Sequence, residues 1–340
     1  MQKKELVSIK DYTTFHLGGR VRVLCHITSE EDLEECVQEA KNRNLPILAL
    51  GEGSNLIFAQ DMIEAVVAKI EIKGFSVLSE NDRSVSLLIG AGEHWDGVVA
   101  RTVRMNLSGL EAMSAIPGTA GATPVQNVGA YGQEIQNTLV DVRAYDTKKN
   151  QFVNLSNQEC QFSYRDSIFR SVEKNRYLIT FLTLKLSKTT PSMPDYLGVK
   201  KYFKEKNIST PTVRQIREAI IEIRSTKLPD PKKIWNVGSF FKNPILMEED
   251  RTRLRNTYPS MPTYLLSDGK IKLSAGWLIE QSGFKGKDFG QIKVYEHNAL
   301  VLVNKGHATF FNLATAQKII VEEIKKRFGV ILEPEPLFIE

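Results

Sequence analysis

Cysteine is scarce in this sequence: Cys25, Cys36 and Cys160 are its 3 cysteines among 340 residues, and they lie far apart. Without a C-x-x-C pair, they predict reduced thiols in a cytoplasmic protein rather than a disulfide framework. The 5 histidines are equally scattered, so a zinc site would need ligands that converge from distant positions. We therefore expect no metal centre.

Long apolar runs are also missing. No stretch approaches the roughly 20 apolar residues that a membrane-spanning helix requires, and no apolar segment of signal-peptide length follows the charged residues 1–5. The 45 basic and 40 acidic residues give a net charge of +5 without the basic stripe typical of nucleic-acid binding. These absences predict a soluble, cytoplasmic chain that binds neither membrane nor nucleic acid.

The chain is long enough for two or three domains, since 340 residues exceed what one core usually serves. Apolar spacing predicts strands at residues 21–24, 45–50, 85–89, 139–145 and 177–186, and helices at 93–105 and 212–225. A further helix is predicted to start at residues 28–31 and to place Leu33, Val37 and Ala40 on one face. Asn312 is predicted to cap a last helix that Gly329 ends, whereas residues 187–212 lack periodicity and are predicted to cross between domains. The mixture indicates an α+β protein.

A glycine turn follows the second of these strands. Residues 46–50 form a short apolar run that ends in Gly51-Glu52-Gly53-Ser54-Asn55, and backbone N–H groups in such a turn can converge on a phosphate. The pattern is not the dinucleotide fingerprint, because the third glycine of G-x-G-x-x-G falls on Leu56. Alone, the turn could equally be structural.

A second and longer stretch, residues 107–132, consists largely of glycine, alanine and small polar residues. Gly118, Gly121, Gly129 and Gly132 in this stretch allow the backbone to adopt φ > 0 and to lie against a flat, anionic ligand. Pro117 and Pro124 stiffen the path, which argues against a mobile linker. A glycine-rich structural turn remains the alternative.

Together the two stretches resemble the FAD-binding segments of UDP-N-acetylenolpyruvoylglucosamine reductases, flavoenzymes of peptidoglycan precursor synthesis. The resemblance continues through Tyr-Arg-Asp-Ser at 164–167, Gly-Ser-Phe-Phe-Lys-Asn-Pro at 238–244 and Leu-Glu-Pro-Glu at 332–335. It implies an α+β fold with an FAD-binding part of the vanillyl-alcohol oxidase/p-cresol methylhydroxylase type. That part comprises two α+β subdomains, 1–70 (to which the tail 332–340 returns) and 71–211, and an α+β substrate-binding domain follows at 212–331.

The resemblance also implies non-covalent FAD and NADPH as co-substrate. The residues that it assigns to FAD binding lie in the two glycine-rich stretches. They are Gly51, Glu52, Gly53, Ser54, Asn55, Leu56, Ile116, Pro117, Gly118, Gly121, Ala122, Gln126, Asn127, Gly129, Ala130, Tyr131 and Gly132.

Three residues take catalytic roles by resemblance: Arg165 and Glu335 stabilise the substrate carboxylate, and Ser239 donates a proton. On their own, these positions would read as a surface turn, a tail carboxylate and a turn serine. The residues implied for substrate binding are Tyr164, Tyr196, Lys227, Asn243, Tyr264 and Asn298. Tyr196 matches the loop that closes over substrate in one family subtype, or it is a plain surface aromatic.

The chain departs from the family pattern at Ser163, Val237, Pro336 and Leu337, and the last two put the local backbone at Glu335 in doubt. The implied reaction is NADPH-dependent reduction of UDP-N-acetylglucosamine enolpyruvate to UDP-N-acetylmuramate by a monomer whose partner is the UDP-sugar.

Two rival functions remain. A flavin oxidase of the same fold would more often carry a His or Cys for covalent flavin attachment near the glycine loops, and residues 51–58 and 116–132 have none. A non-catalytic nucleotide-sugar-binding protein is the other rival.

Overall fold

The computed structural model describes residues 1–266 and 269–340 of the chain. Its α-helices are α1 (Glu30–Asn42), α2 (Trp95–Arg104), α3 (Leu197–Glu205), α4 (Val213–Lys227), α5 (Glu248–Thr257), α6 (Ala275–Gln281) and α7 (Phe310–Phe328). Its strands are β1 (Gln2–Ser8), β2 (Arg20–Ile27), β3 (Ile47–Leu50), β4 (Leu56–Phe58), β5 (Met62–Ile70), β6 (Phe75–Glu80), β7 (Ser84–Gly90), β8 (Gly129–Ala130), β9 (Gln133–Glu134), β10 (Leu139–Asp146), β11 (Gln151–Ser156), β12 (Tyr177–Ser187), β13 (Asn236–Ser239), β14 (Ile245–Leu246), β15 (Thr263–Leu265), β16 (Ile271–Leu273), β17 (Ile292–Val294), β18 (Val301–Asn304) and β19 (Leu337–Ile339).

The chain divides into two compact units and passes between them several times. Unit 1 comprises Met1–Val7, Val21–Glu52 and Glu64–Ser225, and unit 2 comprises Ser8–Arg20, Gly53–Ile63 and Thr226–Glu340. One of the boundaries falls inside the first glycine turn, between Glu52 and Gly53. Each unit therefore receives part of the sequence that was predicted to bind FAD.

Unit 1 is built on two sheets. One has the strand order β1-β2-β5-β3, with β3 parallel to β5, and the other has the order β11-β10-β12-β7-β6 with antiparallel neighbours. The core includes one face of α1 (Leu33 and Val37) and the completely buried Trp95 of α2. Gly51 directly follows β3, as the apolar run predicted, but β3 is half-buried rather than fully buried, since Leu48 and Leu50 are buried while Ala49 is exposed.

Unit 2 contains the sheets β13-β18-β17, β14-β16-β15 and β19-β4. Its core packs α6 and α7 against β13, β17 and β18, through buried residues such as Phe240, Leu278 and Ile320. The carboxyl-terminal strand β19 runs parallel to β4, with Leu337 opposite Leu56. This pairing brings the tail beside the segment that follows the glycine turn.

Most of the predicted elements are confirmed, and so is the α+β class. The predicted capping box at the start of α4 is present, since Gln215 N donates to Thr212 Oγ1 at 3.2 Å and Thr212 N donates to Gln215 Oε1 at 2.9 Å. Gly329 ends α7 in the left-handed conformation, with φ of 72°.

Two expectations are wrong. Asn312 does not cap α7: the cap is Thr309, whose side chain accepts from Asn312 N, while the Asn312 amide oxygen accepts from Thr309 N at 2.9 Å. Residues 187–212 are not a featureless crossing, because they contain α3 and belong to unit 1. That helix buries only Val199 and Phe203, and two apolar residues among several lysines are too few to show the helical periodicity of a buried face.

Within the described ranges, none of the helices combines the length and the apolar composition that crossing a lipid bilayer demands.

Candidate active site

In unit 1 the glycine turn meets the second glycine-rich stretch. The Glu52 carboxylate accepts a hydrogen bond from the backbone N–H of Gly118 at 3.0 Å. A Cβ added to Gly51 would lie 2.6 Å from Thr119 Oγ1, so only glycine allows this close approach. The two segments that resemble FAD-binding segments are therefore in contact with each other in the fold.

The second stretch follows an unusual backbone path. Gly118 and Gly132 have φ of 117° and 91°, and Asn127 and Tyr131 adopt left-handed φ values of 47° and 52° without being glycine. Gly121 has an ordinary φ but packs so closely that an added Cβ would lie 2.5 Å from Ala91 Cβ. The glycines thus serve two purposes, backbone conformation at some positions and tight packing at others.

Arg165 lies at the tip of a turn whose base pairs Ser163 with Asp166 through two backbone hydrogen bonds of 3.1 and 3.2 Å. It too is left-handed, with φ of 56°, which is a costly conformation for a residue with a Cβ. Its Nη2 donates to the Gly129 carbonyl at 3.0 Å, and its guanidinium carbon lies 5.3 Å from the centre of the Tyr164 ring. The arginine is therefore held against the second glycine-rich stretch.

Side chains fix this turn on both flanks. Buried Asn127 donates to the Ser163 carbonyl at 3.1 Å, Ser167 Oγ donates to the Val125 carbonyl at 2.7 Å, and Arg170 donates to Gln126 Oε1 at 2.9 Å. These three bonds, together with the one from Arg165 to Gly129, join residues 163–170 to residues 125–129 at several points. Because neighbouring bonds constrain one another, the strained Arg165 conformation is held in place.

In unit 2, backbone hydrogen bonds bring Ser239 and Glu335 together. Ser239 ends β13, and the next residue, Phe240, accepts from Glu335 N at 2.8 Å and donates to the Leu300 carbonyl at 2.7 Å. Lys242 N donates to the Glu333 carbonyl at 2.9 Å and continues the ladder. The backbone at Glu335 is thus paired, and the proline and leucine that follow it do not prevent this pairing.

The second half of the glycine turn is tied to the same segment. Gly53 has φ of 63°, and an added Cβ would lie 2.3 Å from the Tyr12 carbonyl oxygen. Thr14 N donates to the Gly53 carbonyl at 3.3 Å, and Thr14 Oγ1 donates to the carbonyl of Asn236, at the start of β13, at 2.7 Å. Asn55 completes the connection by donating to the Glu335 carbonyl at 3.4 Å.

The residue before Ser239 leaves room beside the proposed proton donor. Gly238 has φ of 73°, and apart from its two chain neighbours no described atom lies within 4 Å of the Cβ that another residue would place there. Its N–H donates to Asn236 Oδ1 at 2.8 Å, and this hydrogen bond stabilises the left-handed conformation. Lys242, a candidate neighbour of the serine, forms an ion pair with Glu333 at 3.6 Å.

The residues implied for substrate binding fall in both units. Tyr164 and Tyr196 lie in unit 1, whereas Lys227, Asn243, Tyr264 and Asn298 lie in unit 2. The amide oxygens of Asn243 and Asn298 accept from Ala275 N at 2.9 Å and from Leu300 N at 3.0 Å. Both asparagines therefore stabilise the backbone at Ala275 and Leu300, in addition to any contact with substrate.

Sequence reasoning did not single out the residues that support these positions, among them Thr14, Asn236 and Arg224. Arg224 could have been noticed, because it follows Ile220 by four residues and so continues the apolar face of α4. The bonds made by Thr14 and Asn236 join parts of the chain 222 residues apart, and no local pattern reports them.

The glycine-rich surface fits an FAD molecule on two observations. Apart from the chain neighbours of Gly132, the described atom nearest to a Cβ added there would be Asp195 N, at 3.9 Å, so this glycine borders open space. Beside it, Tyr131 packs against α4, which also carries Arg224, a partly buried cation suited to an anionic group. As for metals, the residues that the structure describes contain no group of three or more His, Cys, Asp or Glu side chains placed to hold an ion.

Comparison with protein families gives two matches. Residues 230–339 match the C-terminal domain of UDP-N-acetylenolpyruvoylglucosamine reductase, and residues 21–155 match an FAD-binding domain. The first match covers Ser239 and Glu335, and the second covers both glycine-rich stretches.

Individual relatives extend the match over nearly the whole chain. UDP-N-acetylenolpyruvoylglucosamine reductase of Cupriavidus pinatubonensis is 41% identical over 333 residues, covering 98% of both chains. The reductase of Pseudomonas aeruginosa is 40% identical and covers 99% of this chain and 98% of the relative. The crystal structure of the reductase from Thermus caldophilus has a TM-score of 0.70 at 22% identity and covers 100% of this chain and 98% of that one, which shows a common fold.

Proposed function

The chain belongs to the UDP-N-acetylenolpyruvoylglucosamine reductase family, and from this premise we propose how its own residues carry out the reaction. The protein is a flavoenzyme of peptidoglycan precursor synthesis that reduces UDP-N-acetylglucosamine enolpyruvate to UDP-N-acetylmuramate, with NADPH as co-substrate. The observation that carries the assignment of roles is the 2.8 Å bond from Glu335 N to the Phe240 carbonyl, which sets Glu335 beside the segment of Ser239.

Bound FAD would supply the hydride, after NADPH has reduced it. We assign the binding of FAD to the residues of both glycine-rich stretches named above. Gly51, Gly53 and Gly118 support this assignment, because a close approach at Gly51 and Gly53 and a positive φ at Gly53 and Gly118 favour glycine at these positions, as a backbone that lies against a ligand requires. Tyr131 and Gly132 border the open side of the second stretch.

The substrate's carboxylate presents the main electrostatic problem. When hydride reaches the terminal vinyl carbon, electron density moves through the α-carbon into that carboxylate and creates a dianion. We assign its stabilisation to Arg165, whose guanidinium is permanently charged and is held rigidly by Gly129 and by the braced turn around it. Glu335 orients or hydrogen-bonds the same carboxylate.

The α-carbon must then receive one proton to complete the lactyl ether. We assign this general-acid step to Ser239, because the open space at Gly238 leaves room beside it for a ligand. The serine becomes an alkoxide for a moment, and a nearby ammonium lowers the cost. Lys227 and Lys242 are the candidates for that ammonium and for contacts with the diphosphate.

The remaining substrate contacts are assigned to Tyr164, Tyr196, Asn243, Tyr264 and Asn298. Tyr196 directly precedes α3 and packs edge-on against Tyr131, with ring centres 5.0 Å apart. A tyrosine that already touches the proposed FAD segment is well placed to close over a ligand bound there, which supports the subtype with the tyrosine loop. The division into domains 1–70, 71–211 and 212–331 stays a proposal, and the pairing of β19 with β4 supports the return of the tail to the first domain.

We also infer a cytoplasmic monomer that binds neither nucleic acid nor membrane. The inference rests on the near balance of 45 basic and 40 acidic residues and on the 3 widely spaced cysteines. Size-exclusion chromatography with light scattering would test the oligomeric state.

An anaerobic visible spectrum of the purified protein tests the function. NADPH should bleach the flavin, and the yellow colour should return only when UDP-N-acetylglucosamine enolpyruvate is added. Bleached flavin that only oxygen reoxidises would point instead to an oxidase. A colourless protein that binds the UDP-sugar would point to a non-catalytic binding protein.

A further inference from the structure

The short hairpin of β8 and β9 lies next to the turn that carries Arg165. Gly129 of β8 pairs with Glu134 of β9, and the Gly129 carbonyl accepts the hydrogen bond from Arg165 Nη2 at 3.0 Å. A Cβ added to Gly129 would lie 2.6 Å from Glu134 Cγ, so the Glu134 side chain packs directly on this glycine. The residue that receives the proposed catalytic arginine is therefore itself in contact with a glutamate.

The Glu134 carboxylate accepts hydrogen bonds from two side-chain amides. Its Oε2 accepts from Asn127 Nδ2 at 3.0 Å and from Gln136 Nε2 at 2.5 Å. Asn127 is completely buried and also donates through Nδ2 to the Ser163 carbonyl at 3.1 Å, at the base of the turn of Arg165. Glu134 is therefore connected to this turn a second time, through the buried asparagine.

The orientation of the Asn127 amide follows from its surroundings. An ionised carboxylate can only accept, so Glu134 requires the amide nitrogen of Asn127 on its side. At the other end of the amide, Asn127 Oδ1 accepts from Gln136 N at 3.3 Å. Glu134 is fixed through its main chain as well, because its N–H donates to Asn137 Oδ1 at 2.8 Å. A buried polar network whose members are all paired is rigid, and here the carboxylate is the acceptor that sets its direction.

We propose that Glu134 is a positioning residue for Arg165. It acts through Gly129, which accepts from the guanidinium, and through Asn127, which holds the base of the turn. The inference rests on the proposed function, which assigns the substrate's carboxylate to Arg165. Because Arg165 has φ of 56°, its turn would relax if these bonds were weakened, and a displacement of about 1 Å at a catalytic group can slow a reaction by about 10²-fold.

Two substitutions of Glu134 grade the effect. Glu134→Ala removes the acceptor of both amides, so return of oxidised flavin on addition of UDP-N-acetylglucosamine enolpyruvate should slow about tenfold or more. Reduction by NADPH and the flavin content should stay near those of the unmodified protein. Glu134→Gln keeps one acceptor oxygen but loses the charge, and its rate should lie between the two. Stopped-flow absorbance measures both steps.

A double-mutant cycle separates positioning from a general loss of structure. When Arg165→Met is already present, no catalytic charge is left to position, so adding Glu134→Ala should slow the substrate step by only about twofold or less. A purely structural role would slow this step by the same factor with and without Arg165. If Glu134→Ala does not fold, the same cycle with Glu134→Gln decides. Equal factors in the two backgrounds, or an unchanged substrate step in both Glu134 variants, would overturn the proposal.

Glu159→Gln is the matched control. This carboxylate of unit 1 also accepts two hydrogen bonds, from Ser156 N at 2.8 Å and from Ser156 Oγ at 2.6 Å, but both belong to the turn that follows β11. Its substrate step should stay within about twofold of the unmodified protein. A loss as large as that of Glu134→Ala would contradict a specific role for Glu134. Failure of the proposed function has a different signature, since the unmodified holoprotein would then not return to the oxidised state on addition of the enolpyruvyl compound.

Discussion

The two units hold their proposed catalytic residues by different means. In unit 1, Arg165 lies on a strained turn that is fastened by the side chains of Asn127, Ser167 and Arg170. In unit 2, Ser239 and Glu335 lie on segments joined mainly by backbone hydrogen bonds. A side-chain clamp depends on the identity of a few residues, whereas a backbone ladder tolerates many, so the two halves should respond differently to substitution.

The difference follows from local geometry. A left-handed residue such as Arg165 cannot join a regular ladder, so the turn needs side-chain donors to hold it. Ser239 and Glu335 are in or beside extended segments, whose N–H and C=O groups pair in register. Precision in unit 1 is therefore encoded by particular side chains, and precision in unit 2 by the path of the chain.

The largest effect is expected at Gly53 of the glycine turn, a position of unit 2 that does depend on the identity of one residue. Gly53→Val should yield protein without flavin, because the new Cβ would lie 2.3 Å from the Tyr12 carbonyl oxygen and φ of 63° is strained for valine. The ratio of visible to ultraviolet absorbance after purification measures this. Gly290→Val is the control, since it has φ of 87° but no described atom within 4 Å of the added Cβ. If Gly53→Val keeps its colour, the turn is not part of the FAD site.

Ser239→Ala should have the next largest effect. Loss of a general acid typically slows the dependent step about 10²–10⁴-fold, so return of the oxidised flavin on addition of the enolpyruvyl substrate should slow by that order. Bleaching by NADPH should proceed at the normal rate and serves as the internal control, and stopped-flow absorbance measures both steps. An equal loss in both steps would remove the proton-donor role from this serine.

Arg165→Met tests the corresponding residue of unit 1. We expect about a 10²-fold slower flavin-to-substrate step, because a preorganised charge facing the developing dianion is lost. Unlike Ser239→Ala, the variant should also bind the enolpyruvyl substrate more weakly. Arg170→Met removes one of the side-chain bonds that fasten the turn but not the charge that faces the substrate, so it should slow this step by a smaller factor. Equal losses in the two arginine variants would indicate that the segment was disordered rather than that a catalytic charge was removed.

How much of this could be read from the sequence depends on the range of the interactions. Helix α4 was predicted with its capping box, because Thr212 and Gln215 are three residues apart. Helix α3 was missed, since its buried face consists of only two residues. Local spacing records interactions within one or two turns of chain and nothing beyond them.

The candidate site lies beyond that range. The bond from Arg165 to Gly129 spans 36 residues, and that from Asn55 to Glu335 spans 280. No periodicity relates these positions, so their roles came from the resemblance of whole motifs to a family. The fold then supplied what the motifs lacked, namely the supporting residues Thr14 and Arg224.

A pair of supporting residues sharpens the comparison between the units. Asn127→Gly keeps the left-handed backbone but removes the donor to the Ser163 carbonyl, and we expect it to cost about 2 kcal/mol of stability. Thr14→Val removes a single hydroxyl while the backbone bonds of Thr14 to Gly53 and Asn236 remain, and should cost about 1 kcal/mol. Urea unfolding monitored by flavin fluorescence measures both. A larger loss in Thr14→Val would contradict the distinction between clamp and ladder.

The smallest expected effect is a pH dependence confined to unit 1. Hydrogen bonds from Thr28 Oγ1 and Thr28 N, at 2.7 and 2.9 Å, lower the pKa of Asp32 to about 2. Because this pKa lies below the usual value of 3.8, the carboxylate stabilises the fold above pH 3.8 and loses that contribution as the pH falls through about 2. Its side chain is 17% exposed, and after allowance for solvent screening the contribution is about 1 kcal/mol.

Asp32→Asn should therefore be less stable than the unmodified protein at pH 7 and equal to it near pH 2, as measured by urea unfolding across that range. Asp288→Asn in unit 2, where Lys305 pairs with an exposed carboxylate, should change the stability little at either pH. A gap between Asp32→Asn and the unmodified protein that stays constant from pH 7 to pH 2 would show that its cause is a packing change and not the titration of Asp32.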